Sequence, residues 1–492
     1  MKKIVFSLIV FTMTTVNALA GGILTNTNQS VLFLKNPARD AAIGLDGVYS
    51  NPAGVAFMPE GFHVAFNWQY AHQTRTITTT NPVFALGKKN DGSSVKEFEG
   101  VADAPIIPSL QGAYNKGNWS IQFNLSVPGG GGSCEFADGL GSFESVVGNI
   151  AAMLQPLGAQ GYNMDGFMKG RQYYYGVQLG AAYKVTSNFS VYGGLRMLYG
   201  DATYKAKISN IQVKTAGGYV DFGDYLQSAT ATVEDGIALV NAGIAQYEAA
   251  GVAAPAELLT QQAQLEGTKT SLGTLQKYAE GVNLLCNQDG VGFAPVIGID
   301  WRYKNFNFAA KYEFKTQIRM KNESTVNKAH EIAAVNKFRD GEKVNEDAPA
   351  LLTIGAQWSP IDQLRINAGW HHYFDKEVSW YNNSQELLKH NSNEFLAGVE
   401  YDVNDRLNVS LGGQLTRYGL SDDFMNDMSF VANSYSVGFG FSYKMKDYIT
   451  LSAAYFQTMY DNYHRNNYPT EGVSDTFTRT NRVLGIGCQL DF

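Results

Sequence analysis

"LNVSLGGQLTRY", Leu407 to Tyr418, places Leu407, Val409, Leu411 and Leu415 on one side of an extended chain and Asn408, Ser410, Gly412, Gln414 and Thr416 on the other. Side chains of a β-strand alternate between its two faces, so the stretch reads as a strand with one apolar and one polar face. The pattern recurs along the chain. Trp119, Ile121, Phe123, Leu125 and Val127 alternate with Ser120, Gln122, Asn124 and Ser126, and Tyr435, Val437, Phe439, Phe441 and Tyr443 alternate with Ser436, Gly438, Gly440, Ser442 and Lys444. Phe62 to Tyr70 and Leu364 to His371 repeat it. Alternation alone fits a soluble sandwich with a dry core as well as a barrel in lipid.

The connections separate the two. Very short polar turns occur at Asn115-Lys116-Gly117, Thr186-Ser187-Asn188, Lys304-Asn305, Ser359 to Gln363, Asn404-Asp405 and Lys446-Asp447. Between these hairpins lie much longer connections, the largest over 129–170 and 209–289. Such lengths are foreign to compact soluble domains, whereas short turns on one side and long loops on the other mark an outer-membrane barrel.

Counting by this rule predicts fourteen strands, at about 62–75, 108–115, 118–128, 171–184, 188–208, 290–303, 306–320, 349–358, 363–375, 393–402, 407–418, 433–445, 448–460 and 480–492. An even number leaves both chain ends on the periplasmic side. The last strand carries Cys488 on its lipid face and ends at Phe492, an aromatic terminus of the kind found on barrels delivered by the barrel assembly machinery. The expected fold class is all-β: a 14-stranded antiparallel transmembrane β-barrel with an N-terminal plug, or hatch, and helical insertions in the extracellular loops.

The N-terminus agrees with export. MKK, an apolar run from Ile4 and an Ala18-Leu19-Ala20 end predict a signal peptide over 1–20. After it, 21–61 is too irregular for strands and is expected as the hatch inside a barrel formed by 62–492. Filling is needed, because fourteen strands enclose more space than their own side chains occupy. The 51 Gly, 28 Tyr and 28 Phe suit a large closed sheet with aromatic girdles. A net charge of −7 without a basic patch speaks against nucleic acid as a partner.

In the hatch, Ser50-Asn51-Pro52-Ala53-Gly54 offers Asn51 as a side-chain cap and Pro52 at a first helical position; Lys35-Asn36-Pro37-Ala38 is a second such start. An isolated Asn-Pro-Ala is equally a plain turn. In the loop 129–170, Phe143, Val146, Val147, Ile150, Met153 and Leu154 predict an amphipathic helix. Its face Phe143, Val147, Ile150 and Leu154 is a candidate greasy landing site for ligand, or a local loop core. In 209–289, Leu265, Leu272, Leu275 and Val282 also fall at helical spacing.

Taken together, "DGVYSNPAGVAF", the fourteen strands and the "LSVPGGGGS" ending the third resemble the FadL/TodX (OMPP1) family of outer-membrane transporters for long-chain fatty acids and other hydrophobic compounds. "NPARDAAIGLDGVYSNPAG", Asn36 to Gly54, looks like its Bacteroidetes members. The resemblance implies that Asn51, Pro52 and Ala53 mark the hatch, that ligand binds among the loops and then in an interior pocket, and that it leaves sideways into outer-membrane lipid through a gap at a kinked third strand. Pro128, Gly129 and Gly130 are chemically suited to that kink, although they fall at the predicted outer end of the strand while the family's kink lies within the wall. The partner expected is a long-chain fatty acid or another hydrophobic small molecule, and the protein is expected to be a monomer in the outer membrane of a Gram-negative bacterium.

Inward-facing Arg196, Arg365, Lys311 and Lys315 are candidates to meet a carboxylate head group, or are water-facing lumen residues. Cys134 and Cys286, both in predicted extracellular loops, are candidates for a disulfide. His371-His372 is not expected to bind metal, since neighbours in a strand face opposite ways, and Asp422, Asp423 and Asp427 lack calcium-loop spacing and read as a solvated acidic loop. Neither metal nor cofactor is expected, nor an enzyme, since no nucleophile–base–orienter motif is visible. A general diffusion porin, or a surface adhesin or receptor using the long loops, are the competing readings.

Overall fold

The computed structural model describes residues 26–327 and 333–492. The expected signal peptide and the first hatch residues lie outside the described residues.

Fourteen long strands form the wall: β1 (Gly61–Thr80), β2 (Val95–Lys116), β3 (Trp119–Phe136), β4 (Gly161–Lys184), β5 (Phe189–Thr215), β6 (Val282–Tyr303), β7 (Phe306–Glu313), β8 (Leu351–Ile361), β9 (Leu364–Tyr373), β10 (Ser392–Asp402), β11 (Leu407–Arg417), β12 (Ser434–Lys446), β13 (Ile449–Tyr460) and β14 (Ser474–Asp491). Each pairs antiparallel with the next, and β14 pairs with β1 from His63↔Asp491 to Thr80↔Ser474, so the sheet closes. The chain end completes the seam: Phe62 N donates to Phe492 O at 2.9 Å and Phe492 N to Phe62 O at 2.8 Å. Closure leaves no edge, a requirement where no water is present to satisfy backbone groups.

Burial follows the alternation with the sense of a membrane protein. On β11 and β12 the apolar residues point out, with Leu411 59% and Phe439 54% exposed, while Ser410, Thr416, Ser434 and Ser436 are buried inside. The exposed apolar face continues around the wall, and a closed barrel coated this way is built to sit in lipid. No helix among the described residues is long and apolar enough to cross a membrane.

All fourteen predicted strands are present, but several overshoot their predicted ends. β5 runs for 27 residues, where about 10 suffice to cross the hydrocarbon. β3 and β4 extend into 129–170, and β5 and β6 into 209–289. Above the lipid the outward side chains no longer need to be apolar, so the alternation fades while the ladder continues. The predicted strand 306–320 stops at Glu313; a separate strand, Arg319–Val326, adds to the outer part of β6. Among the described residues there are four α-helices, α1 (Val31–Lys35), α2 (Gly141–Met153), α3 (Phe222–Ala249) and α4 (Ala256–Leu275), beside several short 3₁₀ turns. The loop helices α2 and α4 match the expected apolar spacing, except that Val282 begins β6, whereas the long α3 had no separate expectation.

Leu411→Arg, in the middle of the lipid face, is expected to lower stability by about 2–4 kcal/mol, and Val403→Arg at the periplasmic turn by about 1 kcal/mol or less. Urea unfolding in phospholipid vesicles measures both.

Candidate functional site

The segment 26–60 packs against the inward faces of strands all around the ring. α1 begins at Ser30, whose hydroxyl accepts from Leu32 N at 3.2 Å, and its Val31, Phe33 and Leu34 bury against Ala71, Leu396, Ala454, Phe456 and Val483. Leu45, Val48 and Val55 meet Ala65 and Ala113, and Ala53 and Ala56 meet Ala182, Tyr192 and Val296. Contact is close enough to need glycine on the wall: a Cβ on Gly355 would stand 2.6 Å from Ala41 N, and one on Gly412 2.7 Å from Pro37 Cδ.

Both Asn-Pro-Ala turns are clipped to a buried carboxylate of the wall. Asn51 Nδ2 donates to Asp300 Oδ2 at 2.6 Å on β6, and Asn36 Nδ2 to Glu400 Oε1 at 3.2 Å on β10. In each, the amide oxygen turns back on the chain, Asn51 Oδ1 accepting from Gly54 N and Asn36 Oδ1 from Ala38 N, both at 3.2 Å. A short 3₁₀ helix, Gly54–Phe57, follows the first; the second starts no helix and is a turn. Pro52 O accepts from Gln122 and Ala53 O from Ser190, so the motif's carbonyls are also held by the wall.

Ionic groups pin the segment further. Arg39 bridges Asp46, at 2.7 Å, and Glu400. Asp40 accepts from His371, which also meets Glu394 at 2.9 Å, while His372 faces the other way toward Asn393. Tyr49 lies under Arg196 and Lys311, whose charges converge on the buried Glu313, and Lys311 donates to Tyr49 O at 2.7 Å.

The ladder between β2 and β3 is interrupted, as it also is on the outer edge of β6 over 290–295. β2 and β3 pair up to Leu110↔Leu125 and resume at Asp103↔Ser133, leaving 104–109 and 126–132 unpaired with each other. Pro105, Pro108 and Pro128 lack the N–H a ladder needs, and Gly130 and Gly132 take φ of +101° and +78°, where a side chain is strained. The expected kink residues Pro128, Gly129 and Gly130 therefore lie inside a strand that continues to Phe136, not at its outer end. The interior segment meets the bare edge here. Gln29 accepts from Val127 N at 3.2 Å and donates to Val127 O at 3.3 Å, its amide standing in for a missing strand, and Asn26 N donates to Pro128 O at 3.0 Å. Gln29 and Asn26 carry no motif. "APIIPS", Ala104 to Ser109, places two prolines opposite the glycine run, a signal that needs the full length of β2 to be read.

The four candidate head-group cations do not converge. Arg196 and Lys311 share Glu313, Arg365 is held by Asp402 at 2.7 Å and Glu400 at 3.2 Å, and the half-exposed Lys315 donates to Glu377 O at 2.9 Å in a loop. Val147 and Ile150 of α2 and Leu154 just beyond its end are buried against Tyr162, Ile211 and Phe222, with Phe143 at the edge. Val147 and Ile150 border a cavity of about 20 Å³, room for little more than one water. The disulfide expectation is corrected: Cys134, Cys286 and Cys488 are free. Cys134 and Cys286 lie on β3 and β6 in one row, Cys134↔Gly170, Gly170↔Tyr204, Tyr204↔Cys286. Three strand spacings put them about 14 Å apart, against about 4.4–6.8 Å for a bridge. The acidic loop is corrected in part: Asp422 and Asp423 accept from Tyr463 and Tyr468, while Asp427 is buried and accepts from Ser142 N at 2.7 Å in the first turn of α2. Burial pushes the Asp427 carboxyl above its usual range.

Glu313→Ala would leave Arg196 and Lys311 buried without a counter-charge, and is expected to lower stability by about 3–5 kcal/mol. Arg365→Gln, at a partly exposed network, should cost about 1 kcal/mol or less. Urea unfolding followed by heat-modifiable gel migration reads both.

No protein-family model matches the chain, and no curated protein matches it. Solved structures do. A Pseudomonas aeruginosa FadL homologue aligns with TM-score 0.64 at 13% identity, over 96% of this chain and 100% of its own. The Pseudomonas putida toluene transporter TodX aligns with TM-score 0.52 at 13% identity, over 91% and 94%. The Ralstonia pickettii toluene transporter TbuX gives 0.51 at 13%, over 93% and 98%. At this identity the likeness defines architecture: the chain has the fold of these outer-membrane barrels along nearly its whole length.

Proposed function

We propose that this protein carries hydrophobic compounds, long-chain fatty acids among them, through the outer membrane of a Gram-negative bacterium and releases them sideways into the bilayer. Residues 1–20 act as the export signal, 21–61 as the plug and 62–492 as the barrel, which the assembly machinery inserts as a monomer. The transporters with the same fold support the substrate class. The observation that carries the route is the β2–β3 interruption, where the bare edge of β3 is held by side chains of the plug instead of by a neighbouring strand.

The physical logic follows from the two solvents. A plug pinned by Asp300, Glu313 and Glu400 obstructs the axis, so an oily molecule needs another exit. Each methylene leaving water gains about 0.8 kcal/mol, and the bilayer is as apolar as any interior pocket. A shift of Gln29 away from Val127 opens the wall toward lipid without an aqueous channel. The apolar face of α2 acts as the first landing site at the outer mouth once it lifts from Tyr162 and Phe222.

The test reconstitutes the barrel in vesicles and follows delivery of a fluorescent long-chain fatty acid alongside ion conductance. A β-branched residue at positive φ costs about 1–3 kcal/mol, so Gly130→Val with Gly132→Val disfavours the bent strand. Delivery is expected to fall by about tenfold or more while binding persists, each 1.36 kcal/mol being a factor of ten. Wild-type delivery by that variant, or steady ion conductance by the native barrel, refutes sideways release.

A further inference from the structure

Among the described residues six cationic side chains are buried: Lys35, Arg39, Arg75, Arg196, Lys311 and Lys337. Five have an oxygen partner, namely Asn408 for Lys35, Asp46 and Glu400 for Arg39, Glu313 for Arg196 and Lys311, and Glu346 for Lys337. Arg75 has none. It is 8% exposed, its Nε is buried without a hydrogen bond, and no carboxylate faces it. Directly opposite, at Arg75↔Arg479 on β14, stands a second arginine whose Nε is also unsatisfied. Arg479 is held only by Gln73 Oε1, at 2.8 Å, and by the ring of Tyr460, 5.0 Å away.

Two guanidiniums facing each other across a ladder repel, and a buried cation without a counter-charge is costly. Carboxylates meet the buried Arg39, Arg196, Lys311 and Lys337, and also Arg171, which lines the same cavity and pairs with Asp201 at 2.7 Å. That cavity, about 60 Å³, is lined by Arg75, Gly132, Cys134, Phe136, Met168 and Tyr204 among others. It touches Gly132, at the upper edge of the β2–β3 interruption, and opens beside an apolar interior that includes Phe98, Phe136, Met168 and Phe477. Guanidiniums offer forked donors that match an oxyanion, and the aromatic and thioether surface beside them matches an alkyl chain.

We infer that Arg75 and Arg479 form a binding site for the anionic head group of an amphiphile, a carboxylate on an apolar tail, held beside the interrupted ladder. The assignment rests on the transport reading and sharpens it: the ligand is an acid, and its head completes a charge pair that the protein leaves open. Neutral compounds then enter without this contact.

The experiment compares oleate with oleyl alcohol, equal in chain length, binding to the purified full barrel in a non-ionic detergent by tryptophan quenching. A charge-assisted hydrogen bond predicts that the native protein prefers the acid by about ten- to a hundredfold. Arg75→Gln with Arg479→Gln is expected to bind the two alike, with alcohol affinity unchanged, and Arg75→Lys to restore part of the preference. Thermal unfolding of the ligand-free barrel adds an independent reading: removing two unpaired charges should raise its Tm, whereas a structural role for the arginines predicts a fall and overturns the proposal. Equal affinity of the native protein for acid and alcohol overturns the anion site and leaves the transport reading standing. Binding of neither compound ends both. Millimolar acetate or inorganic phosphate that abolishes the preference assigns the arginines to small free anions and likewise overturns the amphiphile site.

Discussion

In hydrocarbon a backbone N–H or C=O without a partner has no water to turn to, and this single constraint organises the molecule. It forces the sheet to close on itself, and it turns the usual burial pattern inside out, with leucine and phenylalanine outside and serine, asparagine and glutamine within. It also gives meaning to a place where two adjacent wall strands part. Between β2 and β3 the unpaired backbone is shortened by prolines, which have no N–H to satisfy, and part of the bare edge is covered by the amide of Gln29. A side-chain amide presents the same donor and acceptor as a peptide, so it can substitute for a strand and can also let go of it.

Closing fourteen strands creates a second requirement, since the lumen must be filled. The chain meets it with a segment that is polar where it meets the wall and apolar in small local clusters. Its asparagines, Asn36 and Asn51, repeat one device, a turn whose amide oxygen returns to the backbone and whose amide nitrogen reaches a wall carboxylate. Glu400 is itself loaded with Arg39 and Arg365, as Glu313 is with Arg196 and Lys311, while Asp300 is held by the amides of Asn51 and Asn307. Beside those paired charges Arg75 and Arg479 stand apart, each with an Nε that has no hydrogen bond.

Much of this was legible in the sequence. Period-two alternation located fourteen strands, the short turns fixed which side they connect on, and the spacing of Val147, Ile150 and Leu154 marked a helix. What escaped shares one cause, that partners lie far apart in the chain. Nothing near Arg196 announces Glu313, and nothing near Gln29 announces Val127. Cys134 and Cys286 looked like loop cysteines because the apolar stripe ends at the lipid boundary while the strands continue past it. Pro105 and Pro108 were readable as a break only once their strand was known to extend beyond them.

The position of the interior segment has a consequence for assembly. It precedes every strand in the chain, yet α1 rests on residues as late as Val483 and Gly485. The part exported first therefore cannot settle until the part exported last is in place. Its glycine-lined seat exists only in a completed ring, so packing of the core of this barrel is the final event of its biogenesis and a natural checkpoint on whether closure succeeded.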